Sequence, residues 1–541
     1  MPHCHFFNRA CKKTVLKKSY MPRATSCARA AARMSSLPVI AVIISEIREA
    51  GVQLWPNNFA ISSGTLRFPS KRISSGSVNI CEDLQMRHSI WIGLLLMCVP
   101  GSSLAQKNPT PAAKDSCGYP NYCARSDTKV EPYPKTPPDL PKAGSQGTDP
   151  VFGSRILRVT DGSTDPKKPG QQFQTPSSAQ QNTWNTDSSK FYVKEAGGKI
   201  WVYDFDPSKM TAKINPSYST DWRGEPEFSY SNPNLIFGVA KGSVDLEQFD
   251  FSKNKVSTVH KPSDCVKLNP NDFGTDPSVS ADDARFMVVI GPQQNANYLV
   301  YVYDRQKGCR WLNTKTGEIG GQWGPKGTIS DPELRFGIHD ARIAKSGDYV
   351  AIAGSQRGPV IWDVNSMNVM LCDGKPPMSC GGHHAMGYQH MINPSRRHHP
   401  MELLVRPLND LSKVTPLVKD PPATEGWYDK HLSWNNVDKN DTYPACFSNY
   451  RDDNPITPAT ALKVVGPWEN EINCVEMDGK GSKIWRFAHH YSTAKNGFWS
   501  TPRGNVSQDG RFFVFTSDWE DTLGKGPSGN YRSDVFVVEL K

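Results

Sequence analysis

The feature that most constrains the fold is a degenerate repeat of short, strand-like segments that runs from residue 152 to the C-terminus. Each unit has a polar turn with Asp, Asn or Gly, a run of β-branched and aromatic residues, a short loop and a second alternating run. The clearest copy covers residues 504–518 and 533–540. No long segment has the 3.6-residue period of a helix. The pattern therefore predicts an all-β chain built by repetition.

Seven units fit between residues 152 and 541, roughly 56 residues each, against the ~40–50 residues of most blade repeats. We attribute the excess to long insertions such as residues 442–470. Radial repetition protects strand edges that a flat sheet leaves open. We therefore predict a seven-bladed β-propeller over residues 151–541, in which residues 155–160 complete the last blade and close the ring. A β-sandwich, or two unrelated β domains, is the alternative.

A segment ahead of the repeats has the three parts of a secretory signal peptide. Met86–Ala105 combines a short basic start, an apolar run and a small-residue cleavage site after Ala105. The apolar run is short for a membrane span and is broken by Pro100-Gly101, so a single anchor is the weaker alternative. We predict a secreted or periplasmic protein with no membrane span after cleavage. We interpret residues 1–85 as a non-native upstream extension.

The net charge of the chain without this leader indicates which kinds of partner it can bind. The whole chain carries a net charge of +10, from 63 Lys+Arg and 53 Asp+Glu. Residues 1–105 hold 13 of the basic and 4 of the acidic residues, which leaves the rest of the chain at +1. Nucleic-acid binding requires a basic surface, so we predict no nucleic-acid partner.

Two residue types, proline and cysteine, indicate further features of the exported chain. Residues 106–150 are Pro-rich, which predicts an extended arm or linker. Eight of the 13 cysteines follow the leader, and an even number in an exported chain predicts disulfides. No Cys-x2-Cys spacing occurs, which disfavours zinc–cysteine sites. The simplest pairing, among on the order of 100 connectivities, is Cys117–Cys123, Cys265–Cys309, Cys372–Cys380 and Cys446–Cys474.

The clearest repeat also carries a family resemblance. Residues 507–518, SQDGRFFVFTSD, resemble the blade repeat of TolB-type (WD40-like) propellers, and the other units resemble it more loosely. This resemblance implies a fold and not a function. A weaker resemblance is to the seven-bladed oligogalacturonate lyases and related propeller polysaccharide lyases, which have His residues near the central channel. It implies a divalent metal held by a His/Gln cluster and β-elimination of uronate glycans.

Histidines are the main candidates for chemistry. Nine of the ten that follow the leader lie between positions 339 and 490, several of them just before blade turns. Innermost strands line the channel of a propeller, so such side chains from adjacent blades would converge there on a divalent ion, with Mn, Ca and Zn not distinguished. The alternative is a set of separate surface or core histidines with ordinary hydrogen bonds. The candidate metal ligands are His339, His384, Gln389, His390 and His431.

A catalytic channel with these residue types would suit β-elimination beside a uronate. Arg342 and Arg503 are the candidates to hold the carboxylate, and His431 or Tyr388 is the candidate base for the C5 proton. Tryptophan side chains would stack on sugar rings. The candidates for stacking are Trp427, Trp434 and Trp499.

Two functional hypotheses follow from these patterns. The first is an exported propeller that binds an acidic oligo- or polysaccharide at a His-rich channel mouth, with lyase activity left open. The second is a non-catalytic propeller that binds a protein partner. Convergent His or Gln side chains would favour the first, and dispersed histidines with an exposed apolar patch would favour the second. Gly-x-Ser-x-Gly, Walker-type and His-Glu-x-x-His motifs do not occur in the sequence.

Overall fold

A computed structural model describes residues 117–541 apart from 356–357, 373–379, 381–382, 395–401, 420–428, 451–465, 478–482 and 496. The predicted signal peptide, the 1–85 extension, the first part of the arm and Trp427 lie outside the described residues. In the part that is described, the chain forms seven antiparallel sheets and no α-helix. No helix in that part could cross a membrane.

The sheets are blades I to VII of a propeller. The chain begins with β1 (Gln146–Thr148) and β2 (Arg155–Arg158). Blade I has β3 (Phe173–Gln174), β4 (Lys190–Glu195), β5 (Ile200–Asp206) and β6 (Thr211–Ile214). Blade II has β7 (Trp222–Phe228), β8 (Leu235–Ala240), β9 (Leu246–Asp250) and β10 (Lys255–His260). Blade III has β11 (Phe273–Val279), β12 (Arg285–Gly291), β13 (Leu299–Asp304), β14 (Gly308–Asn313), β15 (Glu318–Gly321) and β16 (Gly327–Thr328).

The C-terminal half supplies the other four blades. Blade IV has β17 (Asp340–Ile343), β18 (Tyr349–Ala353), β19 (Val360–Asp363) and β20 (Val369–Leu371). Blade V has β21 (Ala385–Met386), β22 (His390–Pro394), β23 (Glu402–Pro407) and β24 (Thr415–Lys419). Blade VI has β25 (Asp429–Ser433), β26 (Ala445–Tyr450), β27 (Glu471–Val475) and β28 (Ile484–His489). Blade VII has β29 (Gly504–Val506), β30 (Phe512–Ser517) and β31 (Asp534–Glu539), to which β2 and β1 add.

The two ends of the described chain meet in blade VII. Strand β2 pairs antiparallel with β31, with Leu157 opposite Val537, so a strand from the N-terminal side completes the last blade. This closes the ring and leaves no open edge between the first and last blades. The predicted seven-bladed β-propeller and its mode of closure are confirmed.

Burial follows the position of a strand within its blade. Middle strands such as β12 and β30 are buried on both faces because each blade is packed between two others, and their sequences are nearly continuous apolar runs. Outer strands such as β6 and β10 are largely exposed and more polar. Among the described residues, seven hydrophobic clusters occupy the seven interfaces between neighbouring blades.

The described part of the Pro-rich segment packs against the ring. Tyr122, Tyr133 and Leu140 are buried in the cluster between blades VI and VII. Disulfides join all four predicted cysteine pairs. The pair in blade VI joins facing positions of β26 and β27. The predicted insertion at residues 442–470 is wrong at its start, because residues 445–450 form β26 itself.

The polar turn that recurs in the repeat has a clear physical role where the innermost strand of a blade meets the second strand. In blade VII, Ser507 Oγ accepts hydrogen bonds from the amides of Arg511 and Phe512, and its hydroxyl donates to Asp509 at 2.6 Å. Ser280 makes equivalent contacts in blade III. Such side-chain contacts satisfy the amides of a tight turn.

Blade V lacks a Ser or Asp of its own at this turn and is closed differently. Asp441, from the next blade, accepts hydrogen bonds from the amides of Tyr388, Gln389 and His390 at 2.8 to 3.0 Å. The innermost strand of this blade is therefore β21, and His390 begins the second strand.

Candidate functional site

A cavity of about 1050 Å³ opens at the end of the channel where the innermost strands begin. We call this end the channel mouth. Every blade contributes to its walls, either from the start of the innermost strand or from the loop that leads into it. One contributor from each blade, in order from I to VII, is Ser177, Glu225, Asp276, His339, His384, His431 and Thr501.

A histidine–tyrosine pair lies in the wall formed by blade VI. Nε2 of His431 is 3.1 Å from the hydroxyl oxygen of Tyr450, and both side chains are buried yet line the cavity. The ring of His383 stacks on His431 with a centroid separation of 4.3 Å. An imidazole and a phenol in hydrogen-bond contact are suited to moving a proton.

Carboxylates of three neighbouring blades surround a buried arginine on the opposite wall. Burial, followed by the charge of Asp340, raises the pKa of Asp276 to about 7. Burial alone would lower the pKa of Arg342, but Asp340 and Asp276, and then Glu227 and Glu225, raise it above its usual value. Arg342 Nη2 is 3.5 Å from Asp340 Oδ1. Arg342 is therefore a cation neutralised by this chain's own acids.

Two of these acids reach the cavity through irregular backbone. The pairing of β7 shifts register between Arg223 and Glu227, and that of β11 shifts between Thr275 and Ser278. Asp276 has a φ of 52°, a left-handed conformation that costs energy in a non-glycine residue. Bulges of this kind redirect side chains beside functional sites.

An aromatic ledge stands at the rim in the loop before β29. Phe498 and Trp499 are 46% and 41% exposed. The Nζ of Lys194 lies 4.8 Å from the centre of a Trp499 ring, and it also pairs with Glu225 at 2.9 Å. Ser177 holds the same carboxylate through its amide and hydroxyl. An exposed aromatic face beside a cation is suited to a sugar ring that carries a negative charge.

A small chamber of about 20 Å³ lies deeper in the channel. Burial raises the pKa of Glu227 to about 8 and lowers the pKa of Lys345 to about 7. Lys345 Nζ and Glu227 Oε2 are buried and have no hydrogen-bond partner among the described residues. The volume suffices for one or two water molecules, which would satisfy such groups.

The structure brings together only part of the predicted metal set. His339, His384 and His431 line the mouth, whereas Gln389 and His390 lie at the other end of the channel beside Asp441. His339 is exposed, and its Nδ1 is 2.9 Å from Asn295 Oδ1. Among the described residues, no three His, Cys, Asp or Glu side chains are placed to hold a metal ion. As placed in the described residues, the predicted ligands do not form a group that fits a metal ion.

The misplacement of Gln389 and His390 has a physical cause. The sequence pattern assigns His390 to an innermost strand because the sequence after Tyr388 reads like a blade entry. The turn that Asp441 stabilises instead comes directly after β21, so His390 starts the second strand. Tyr388, the alternative base, lies in the same turn and is likewise away from the mouth.

The two candidate arginines differ in their surroundings. Arg342 is surrounded by acids, as described above. Arg503 is fully buried beneath the ledge, with its Cζ 4.0 Å from the ring centre of Phe498 and 5.0 Å from that of Trp499. Trp499 is exposed at the rim, and Trp434 is buried in the core between blades V and VI.

Sequence reasoning missed Asp276, Glu225, Lys194, Phe498 and Tyr450. A signal for the two acids does exist, because each directly precedes a proline, Pro226 or Pro277, inside a strand-like run. Proline within an inner strand marks a bulge. Tyr450 gave no such signal, since only the pairing of β25 with β26 brings it near His431.

Proteins of known structure resemble this chain in fold. No family model and no curated protein matches the chain. Similar solved structures include an oligogalacturonate lyase in complex with manganese, 13% identical over 74% of this chain and 97% of that one, with a TM-score of 0.49. An oligogalacturonate lyase from Vibrio parahaemolyticus is 10% identical over 77% and 99%, with a TM-score of 0.47. TolB from Acinetobacter baumannii is 14% identical over 49% and 61%, with a TM-score of 0.28.

At these identities the likeness concerns the fold alone. The fold and the cavity together define the class: a seven-bladed β-propeller with a ligand-sized cavity at one mouth of its channel.

Proposed function

We propose that this protein acts outside the cytoplasm, binds an acidic saccharide in the cavity at the channel mouth, and cleaves it by β-elimination. The observation that carries the proposal is the His431–Tyr450 pair, with a 3.1 Å contact, in a cavity of about 1050 Å³ that also presents the Phe498–Trp499 ledge. The cavity has the size of a small-ligand site. The four disulfides support an oxidising compartment.

The proposed reaction uses the His431–Tyr450 pair as one base. The pair takes the proton from C5 of a uronate, and the electrons of that C–H bond form the double bond between C4 and C5. The C4–O bond breaks, and its electron pair leaves with the glycosidic oxygen, which takes a proton from water. Positioned acid–base groups of this kind contribute about 10²- to 10⁴-fold to rates.

No step is derived through a divalent cation, because the described residues do not form a site that fits one. The alternative function, binding of a protein partner, finds less support. Exposed large hydrophobic side chains in the described part are scattered, and only Phe498 and Trp499 are neighbours in sequence. A docking surface for a protein usually presents a continuous apolar patch.

The direct test is an assay for the unsaturated product. The purified, disulfide-bonded protein is incubated with oligosaccharides of galacturonate, of glucuronate and of a neutral sugar, with and without a chelator. We expect ultraviolet absorbance of an unsaturated uronate to grow with one acidic substrate, with no change on chelation. Neither product nor measurable binding with any acidic oligosaccharide would refute the proposed function.

A further inference from the structure

Arg503 presents an arrangement that no described residue of the chain completes. Its side chain is fully buried, and Nη1 donates to the carbonyl of Phe498 and to Thr501 Oγ1. Nε and Nη2 are buried and have no hydrogen-bond partner among the described residues. No other arginine in the described part has two buried donors without a hydrogen-bond partner. An unpaired buried cation is costly, so this one requires an explanation.

The two unpaired donors form one edge of the guanidinium, the edge that grips a carboxylate with two parallel hydrogen bonds. This chain uses that edge for carboxylates elsewhere. Arg155 holds Glu539 through Nε and Nη2 at 2.7 and 2.8 Å, and Arg486 holds Glu471 at 2.8 and 2.6 Å. At Arg503 the same edge has no carboxylate partner among the described residues.

The residues that Arg503 contacts line the cavity, and its own guanidinium is buried behind them. Phe498, Trp499 and Thr501, which the arginine contacts, all line the mouth. Glu225, the nearest acid that acts on its charge, is already bound by Ser177 and Lys194. Burial lowers the pKa of Arg503 to about 10, so the group is still cationic at neutral pH. Among the described residues, no carboxylate of this chain pairs with the Nε–Nη2 edge.

We propose that the Nε–Nη2 edge of Arg503 receives the carboxylate of the ligand, and that Phe498 and Trp499 cover this subsite and turn aside when the ligand enters. This inference rests on the proposed function and names its recognition element. The ligand must carry a free carboxylate, because an ester is neutral and lacks the two equivalent, negatively charged oxygens that the guanidinium edge binds. Arg503 neutralises the charge directly, without a metal ion.

The experiment compares one ligand in three forms. A trimer of galacturonate, its methyl ester and a neutral trisaccharide are titrated into the full protein in chelator, with tryptophan fluorescence and calorimetry as readouts. We expect the free acid to bind about 30-fold more tightly than the ester, from two charge-assisted hydrogen bonds. Equal binding of acid and ester would overturn the inference while leaving saccharide binding intact.

Variants separate the edge from general electrostatics. Arg503→Gln is expected to bind acid and ester equally, Arg503→Lys to retain part of the preference, and Arg511→Gln, an exposed change in the same blade, to behave as wild type. Melting curves identify any variant that does not fold, and the wild-type comparison of acid with ester needs no variant. A preference for the acid that persists in a folded Arg503→Gln would contradict the inference.

A final titration tests the carboxylate subsite separately from the proposed saccharide function. Acetate and chloride are titrated separately into wild type and Arg503→Gln. A saturable fluorescence change with acetate alone, lost in the variant, supports the carboxylate subsite even when no saccharide binds and the proposed function fails. No response of the wild type to acetate or to any carboxylate would overturn the subsite.

Discussion

The two ends of the central channel are built from the same innermost strands but differ in how their polar groups are satisfied. At the end beside Asp441, one buried carboxylate accepts hydrogen bonds from three backbone amides and contacts Nδ1 of His390 at 3.1 Å. At the mouth, Arg503 keeps two donors unpaired and Asp276 has a raised pKa. Groups that find partners within the chain stabilise the fold, whereas unpaired or perturbed groups beside a ligand-sized cavity indicate a binding site.

The largest expected effect concerns two histidines, one at each end of the channel. We expect His431→Asn to lower kcat on the uronate substrate by about 10²- to 10⁴-fold, because it removes the base at the mouth. His390→Asn, the matched change at the other end, should leave kcat unchanged. Steady-state kinetics on the two folded variants decides the matter, and an equal loss in both would contradict the division between the ends.

The end beside Asp441 should respond in stability instead. Asp441→Ala leaves three amides of the blade V turn without an acceptor, and it places alanine at a φ of 56°. We expect the free energy of unfolding to fall by about 3 kcal/mol, with kcat unchanged below the transition. Denaturant unfolding measures the loss, and Asp441→Asn, which keeps one acceptor oxygen, should lose less. Wild-type stability in the alanine variant would show that this carboxylate does not hold the turn.

The interior between the ends should show a pH dependence. Because burial raises the pKa of Glu227 from 4.5 to about 8, the folded state keeps a proton that the unfolded chain loses. The free energy of unfolding therefore falls as pH rises between these values, by up to about 1.4 kcal/mol per pH unit for one proton. Glu227→Gln should flatten this slope, and the exposed Glu318→Gln should not. Parallel slopes in all three proteins would disprove a protonated Glu227.

The smallest expected effect concerns Lys345, whose amine lies over the ring of Trp434 and has no hydrogen-bond partner among the described residues. Replacement by methionine keeps the length of the side chain and removes a polar group that costs energy to bury. Lys345→Met should raise the free energy of unfolding at pH 7 by about 1 kcal/mol, while the exposed Lys439→Met has no effect. Thermal melts compare them, and a destabilised Lys345→Met would mean that the amine makes a contact it needs.

The fold was predictable because each repeat unit carries the burial pattern of its own strands. Strands such as β30 and β31 are mainly apolar and buried along their whole length, and the Ser507 turn between the inner and second strands is specified by local sequence. The closing strand β2 was predictable for the same reason. Each of these strands and turns can be recognised from the pattern of residues within its own segment.

The site was only partly predictable, since its geometry depends on contacts between blades. His339, His384 and His431 were found because each lies at or just before an innermost strand. His390 was misplaced because the acceptor for its turn, Asp441, is 51 residues away in the next blade. No periodicity in the sequence indicates such an acceptor. Arg503 was found as a candidate, but its two unpaired donors are visible only in three dimensions.

Hydrogen exchange with and without the acidic trisaccharide tests the central claim most directly, because it reports protection at both ends of the channel in one experiment. We predict that ligand slows exchange in residues 429–433 and 497–506 at the mouth and leaves residues 387–390 and 438–443 at the other end unchanged. Protection confined to the other end, or none anywhere at saturating ligand, would contradict the assignment of function to the mouth.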